Sequence, residues 1–472
     1  MRKLNEECGV FGMIDGQPQP AVHLAATALL ALQHRGQESC GVAYIKSGKN
    51  GNSIAVKKDL GLVSEVFTPE ALEGMPPSKI ACGHVRYSTT GSNTAENAQP
   101  LVTRHSKLSF ALCHNGNLTN ADAIRSHMVN EEGKVFYSTN DSEIISKLII
   151  DKMLKGDSVE EALLNIMDII RGAYSLVLIT ENKMVVARDP NGFRPLCIGE
   201  LGTTTLIASE TCAFDSVGGL HVRDVKPGEV CSFTLDGKFK TYQKPAGKRS
   251  LCVFEFVYFA RPDSFVDGIS VYRARMEMGR ALARQLPTKA DLVCGVPESG
   301  IDAAHGYSRE SGIPFGTAFI RNRYVGRSFI APTQEGRARA VGLKLNPLTA
   351  SVKGKSIVLV DDSIVRGTTC ARIIKILREA GAKEIHLRIS SPPFVAPCYF
   401  GTDIDSKDKL IATKHTVPEI CKIVGADSLV FLELDELLKI KDGQDVEYCD
   451  GCFTDNYPID VSNAVATKNK FD

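Results

Sequence analysis

Through the first half of the chain, apolar positions come in short runs broken by Gly, Asn, Asp and Pro. Residues 172–180 (GAYSLVLIT), 184–190 (MVVARDP) and 204–210 (TTLIASE) have the length and β-branched content of strands. Gly9 to Gly12 and Leu108 to Cys113 add two more, the second running into Asn115-Gly116, a common hairpin turn. This pattern fits two stacked antiparallel sheets covered by helices. The second half reads differently: apolar strands such as Leu292 to Val296 alternate with helical stretches, as in a parallel sheet. Between the halves lies YQKPAGKRS (242–250), where Pro, Gly and basic residues cluster as in a linker. The expected organisation is an α/β chain with a leader at 1–7, a first domain at 8–245 and a second at 246–472.

The most informative run is IVLVDDSIVRGTT (357–369). Ile357 to Val360 are apolar without interruption, as in a strand buried on both faces of a parallel sheet. Asp361 and Asp362 stand where that strand should end, and Ser363 to Gly367 form a short loop. A helix follows, with Ile373, Ile374 and Leu377 on one face and Gly381 as its stop. Backbone N–H groups at such a helix start, with the hydroxyls of Ser363, Thr368 and Thr369, suit a phosphate. The paired carboxylates can hold ribose hydroxyls or a hard divalent cation beside it. The run resembles the phosphoribosyl-pyrophosphate signature of type I phosphoribosyltransferases. That resemblance implies substrate contacts from Asp361, Asp362, Ser363, Val365, Arg366, Gly367, Thr368 and Thr369.

The N-terminus, MRKLNEECGVFG, is too short and too charged for a secretory signal. Removal of Met1 to Glu7 would leave Cys8 at a new terminus, its thiol beside an α-amine with a pKa of about 7.7–8.0. Such an amine can act as the thiol's general base without a histidine. Four later segments give this weight: HRGQES (34–39), GHVRYSTTG (83–91), HNGNLTN (114–120) and STNDSE (138–143). Together they resemble the glutamine amidotransferase domain of the N-terminal-nucleophile class, an αββα sandwich. By that resemblance Cys8 is the nucleophile and the 1–7 leader is removed autocatalytically. Asn115 and Gly116 form the oxyanion hole, Arg86 clamps the glutamine carboxylate, and Asp141 binds its α-ammonium. From its own surroundings Asp141 is a helix-start acid, with Asn140 as cap and Glu143 as the reciprocal partner.

Both resemblances together cover nearly the whole chain and match the family of glutamine-dependent phosphoribosyl-pyrophosphate amidotransferases. FEFVYFARPDS (254–264), GVPESG (295–300) and RNRYVGRSFIAPTQ (321–334) resemble that family in the same order. The resemblance adds Glu298, Ser299, Gly300, Arg337 and Lys344 to the substrate contacts, and makes Ser299, Asp361 and Asp362 ligands of one Mg2+ per subunit. Where the family usually has an arginine before Lys-Leu-Asn, this chain has Gly342. Tyr258 and Arg261 are candidates for coupling the two sites. The implied reaction is the first committed step of purine synthesis: ammonia from glutamine displaces pyrophosphate to give 5-phosphoribosylamine. Purine nucleotide feedback inhibition and a homotetramer are implied as well.

Fourteen cysteines without a secretory signal point to a reducing, cytoplasmic setting rather than a disulfide framework. Cys449 and Cys452 have Cys-x-x-Cys spacing, which by itself suits zinc, iron–sulfur or redox chemistry. The resemblance selects Cys252 and Cys398 as partners and implies one [4Fe–4S] cluster per subunit. A net charge of +1 gives no reason to expect nucleic acid or an anionic membrane, and no apolar run is long enough to span a bilayer. The rival readings are a different amidotransferase of the same class, or a non-enzymatic sensor of phosphoribosyl pyrophosphate. The sugar-isomerase motifs, Ser-Gly-Gly loop and basic DNA-binding domain those readings require are not in the sequence.

Overall fold

The computed structural model describes residues 8–48, 51–87, 94–105, 108–321, 345–402, 404, 406–462 and 464. The 1–7 leader and the expected substrate-loop residues Arg337, Gly342 and Lys344 lie outside the described residues.

The first half folds into strands β1 (Gly9–Gln19), β2 (Ser39–Gly48), β3 (Gly51–Leu60), β4 (Ser78–Arg86), β5 (Leu101–His105) and β6 (Leu108–Leu118). Then follow β7 (Gly172–Ile179), β8 (Lys183–Arg188), β9 (Cys197–Leu201), β10 (Thr204–Ala208), β11 (Leu220–Asp224), β12 (Glu229–Thr234) and β13 (Phe239–Gln243). One sheet runs β11-β9-β10-β1-β4-β2-β3 and the other β13-β12-β8-β7-β6-β5. Val10, Ile14, Cys82, Val177 and Val186 fill the space between them. Helix Ala21–Ala31 covers the first sheet, setting Ala25 and Leu29 against Phe11 and Met13. Helices Asp141–Leu154 and Val159–Ile166 cover the second, setting Ile144, Ile145 and Leu163 against Leu112 and Leu176. With a sheet on one side and helices on the other, Gly172–Ile179 is buried at every residue, which is why its sequence is apolar rather than alternating.

The second half is built on four parallel strands in the order Leu292–Gly295, Ser356–Asp361, Glu384–Ile389, Ser428–Phe431. Val358 and Val360 pack on the side of helices Val271–Gln285 and Ile301–Ser311. Ile357 and Leu359 meet Ile373, Ile374 and Leu377 of helix Thr368–Glu379 on the other side. The fold is therefore the expected antiparallel sandwich followed by a parallel-sheet domain. No helix among the described residues is long and apolar enough to cross a membrane.

Candidate active sites

Cys8 stands just before β1, partly buried, and its thiol donates to the Tyr87 carbonyl at 3.4 Å. Burial pushes the thiol up to about 11, against the lowering effects of that bond and of the Arg86 charge. It is therefore protonated near neutral pH, and acting as a nucleophile would require a base. In the β1–β4 register Val10 faces His84, so Cys8, His84 and the buried Arg86 fall on one face, toward the second sheet.

The strand opposite corrects the sequence reading. Asn115-Gly116 makes no hairpin; β6 runs straight through both residues, pairing Asn115 with Ser175 and Gly116 with Tyr174. The glycine is needed for close approach instead: at φ +147°, an added Cβ would lie 2.0 Å from the Ala173 carbonyl oxygen. Asn115 is buried, yet its Nδ2 has no hydrogen-bond partner. A buried donor left unpaired costs about 1–3 kcal/mol, which makes this one suited to a ligand oxygen.

Asn140 caps helix Asp141–Leu154, its side chain accepting from Ser142 N at 3.0 Å. Glu143 does not reach back to Asn140; its carboxylate accepts from Tyr137 N, Ser138 N and Ser138 Oγ and so fixes the loop before the helix. Asp141 accepts from Leu118 N at 3.0 Å and lies 3.5 Å from His114 Nδ1. Burial raises this carboxyl, but His114 and the Leu118 and Ser142 N–H groups outweigh it and hold it below the usual carboxylate range. His84 was missed in the sequence. Its Nε2 donates to the His114 carbonyl at 3.0 Å, its Nδ1 is buried without a partner, and burial pushes the ring down to about 3, so it is neutral.

The second site is a cleft of about 120 Å³ that opens at the carboxyl ends of Leu292–Gly295 and Ser356–Asp361, where parallel sheets bind ligands. Its lining brings together Ser299, Asp361, Asp362, Ser363, Val365, Arg366, Gly367, Thr368 and Thr369, with Tyr258 also among them. Asp362 accepts from the hydroxyls of Ser299 and Ser363, and Asp361 accepts from Asp362 N at 3.0 Å. Gly300 caps helix Ile301–Ser311. Glu298 does not line the cleft; it pairs with Arg321 at 3.1 Å, both side chains being exposed.

All fourteen cysteines are free thiols. Cys252 and Cys449 are register partners on the parallel strands Leu251–Cys252 and Tyr448–Cys449, and Cys452 follows in the turn Gly451–Thr454. Cys398 Sγ accepts from Phe400 N at 3.3 Å. Burial and then the nearby Cys398, Cys252 and Cys449 raise the Cys452 thiol, so all four share one neighbourhood. Among the described residues no three His, Cys, Asp or Glu side chains stand as ligands of one metal ion.

Between the two sites the halves interlock. Glu255 begins a π-helical turn, Glu255–Phe259, that ends beside the cleft-lining Tyr258. Its buried carboxylate meets Arg35 and, at 3.4 Å, Arg194. Arg35 also pairs with Glu210, which accepts from Arg261 N at 2.9 Å and Ser264 Oγ at 2.7 Å. Arg261 thus sits on the domain boundary.

The glutamine amidotransferase domain family matches residues 84–216, and the phosphoribosyl transferase domain family matches residues 270–390. The amidophosphoribosyltransferase of Archaeoglobus fulgidus is 46% identical over 457 residues, covering 96% of this chain and 98% of that one. The Bacillus subtilis amidophosphoribosyltransferase is 43% identical over 466 residues, covering 98% and 96%. The chain belongs to the amidophosphoribosyltransferase family. Among solved structures, the B. subtilis glutamine phosphoribosylpyrophosphate amidotransferase complexed with ADP and GMP superposes with a TM-score of 0.88 at 42% identity, covering 96% of this chain and 98% of that one. As an amidophosphoribosyltransferase family member the chain is a glutamine-dependent pentosyltransferase, with glutamine and phosphoribosyl pyrophosphate as substrates. Its reaction is the first committed step of purine biosynthesis.

Proposed function

We propose that the two halves of this reaction divide between the two sites. Cys8, freed of residues 1–7, attacks the glutamine amide carbon while its own α-amine takes the thiol proton. Asn115 Nδ2 and the Gly116 N–H stabilise the oxyanion, Arg86 holds the carboxylate, and Asp141 holds the α-ammonium. The amine proton passes to the departing nitrogen, ammonia leaves, and water cleaves the glutamyl thioester to glutamate. The observation that carries this reading is the buried, unpartnered Asn115 Nδ2 on the strand opposite Cys8 and Arg86.

In the second site the loop Ser363 to Thr369 binds the 5-phosphate, and Asp361 and Asp362 bind the ribose hydroxyls. Ammonia attacks C1 as the bond to pyrophosphate breaks. Glu298, Gly300, Arg337 and Lys344 belong to the diphosphate side of this reading. The hard oxygen donors Ser299, Asp361 and Asp362 fit Mg2+, which when bound would offset the charge of the leaving diphosphate.

The donor chemistry at Cys252, Cys398, Cys449 and Cys452 fits a [4Fe–4S] cluster. Cluster ligands bind four separate irons, so they stand wider apart than ligands of one ion. Domain limits at 8–245 and 246–472, purine nucleotide feedback, a homotetramer and a cytoplasmic location complete the reading. The decisive assay is pyrophosphate release from phosphoribosyl pyrophosphate with glutamine and with ammonium salt, using the wild type and Cys8→Ser. Cys8→Ser should lose the glutamine-dependent reaction and keep the ammonia-dependent one; equal loss of both in a folded variant would defeat the two-site assignment.

A further inference from the structure

The oxyanion strand of the first domain is held by the second. Asn117, two residues after Asn115 and on the same face of β6, donates through Nδ2 to the Tyr399 carbonyl at 2.9 Å. Its Oδ1 is buried with no partner, so the amide has this one hydrogen bond. Arg194 Nε and Nη2 both donate to the Phe400 carbonyl, at 3.1 and 2.6 Å, and Phe400 stacks on Phe193 with ring centroids 4.3 Å apart. Gly401, at φ +112°, lies so close that an added Cβ would stand 3.4 Å from the Gly116 carbonyl carbon and 3.1 Å from Arg194 Nη2. Tyr399 and Gly401 of the second domain therefore meet the strand that carries Asn115 and Gly116, while Phe400 between them is held by Phe193 and Arg194.

We propose that Tyr399–Gly401 and Asn117 form a brace that positions the oxyanion strand, so that the glutamine site is complete only with the second domain docked against it. The inference rests on the reading of Asn115 and Gly116 as the oxyanion hole. Loss of an oxyanion-hole donor lowers kcat by about 10²–10³-fold, and a displaced strand should lose part of that. In the full-length enzyme, Asn117→Ala should lower kcat for glutamine roughly 10-fold, within the range a lost donor sets. KM for glutamine and ammonia-dependent turnover should stay at wild-type values. Gly401→Ala should give the same split. A parallel loss of both activities, or an unchanged glutamine kcat in Asn117→Ala, would overturn the brace. Asn115→Ala, assayed beside them, separates the two claims: full activity there defeats the oxyanion reading, whereas loss there without loss in Asn117→Ala defeats the brace alone.

Discussion

Arg35 of the first domain and Glu255 of the second form an ion pair across the domain boundary in which neither side chain reaches solvent. Arg35 is followed by Gly36, which lies so close to the Arg86 backbone that an added Cβ would be 2.6 Å from Arg86 N. The pair thus joins the turn that carries the cleft-lining Tyr258 to the backbone of Arg86 in the first site. Glu255→Ala would leave Arg35 and Arg194 facing each other with one buried carboxylate fewer, and breaking such a pair costs about 3–5 kcal/mol. The expected outcome is a lower denaturant midpoint, partly restored in the Arg35→Met, Glu255→Leu double variant. A double variant as unstable as the sum of its single variants would show that the two residues are not coupled.

Little of that boundary was legible in the sequence, because Arg35 and Glu255 are 220 positions apart and charged residues read as surface. The parallel-sheet half was legible, since uninterrupted apolar runs such as Ile357 to Val360 leave few alternatives. Asn115-Gly116 misled for a physical reason. The dipeptide that favours a tight turn also supplies a residue without a Cβ, and β6 uses it to pass within contact of Ala173. Glu143 misled in the same way, because a reciprocal cap and a loop clasp ask for the same carboxylate at the same place.

Asp362 accepts from hydroxyls on two different segments, Ser299 and Ser363. Asp362→Ala removes a charge and the link between the two loops. Both activities need phosphoribosyl pyrophosphate, so both should fall together, by about 10²-fold if a few kcal/mol of binding and positioning are lost. Steady-state assays with glutamine and with ammonium salt check this. Full ammonia-dependent turnover at saturating substrate would make Asp362 a structural residue.

Burial and the neighbouring cysteines raise the Cys449 and Cys452 thiols, so holding them as thiolates requires a cationic partner such as the iron of a cluster. Protein purified without air should be brown and hold about four irons per chain. Cys449→Ser should lose the iron and lower the thermal midpoint. Active protein with zinc, or with no metal, would remove the cluster from this account.

The leader decides whether the Cys8 mechanism can operate. With its thiol pushed up to about 11, Cys8 is almost wholly protonated near pH 7–8, and its attack depends on a base that takes the proton. While Glu7 is attached, the Cys8 nitrogen belongs to a peptide bond and is not basic. Once residues 1–7 are removed it becomes an amine with a pKa of about 7.7–8.0. The base works when deprotonated, so glutamine kcat/KM should rise with pH through that range and level off above it, rather than climb toward 11. Active enzyme should begin at Cys8 by intact mass. A variant blocked in processing, such as one with Pro in place of Glu7, should keep ammonia-dependent synthesis and lose the glutaminase. Undiminished glutaminase activity in a chain that still carries Met1 to Glu7 would mean that another group deprotonates the thiol, and the neutral His84 imidazole would then be the first residue to test.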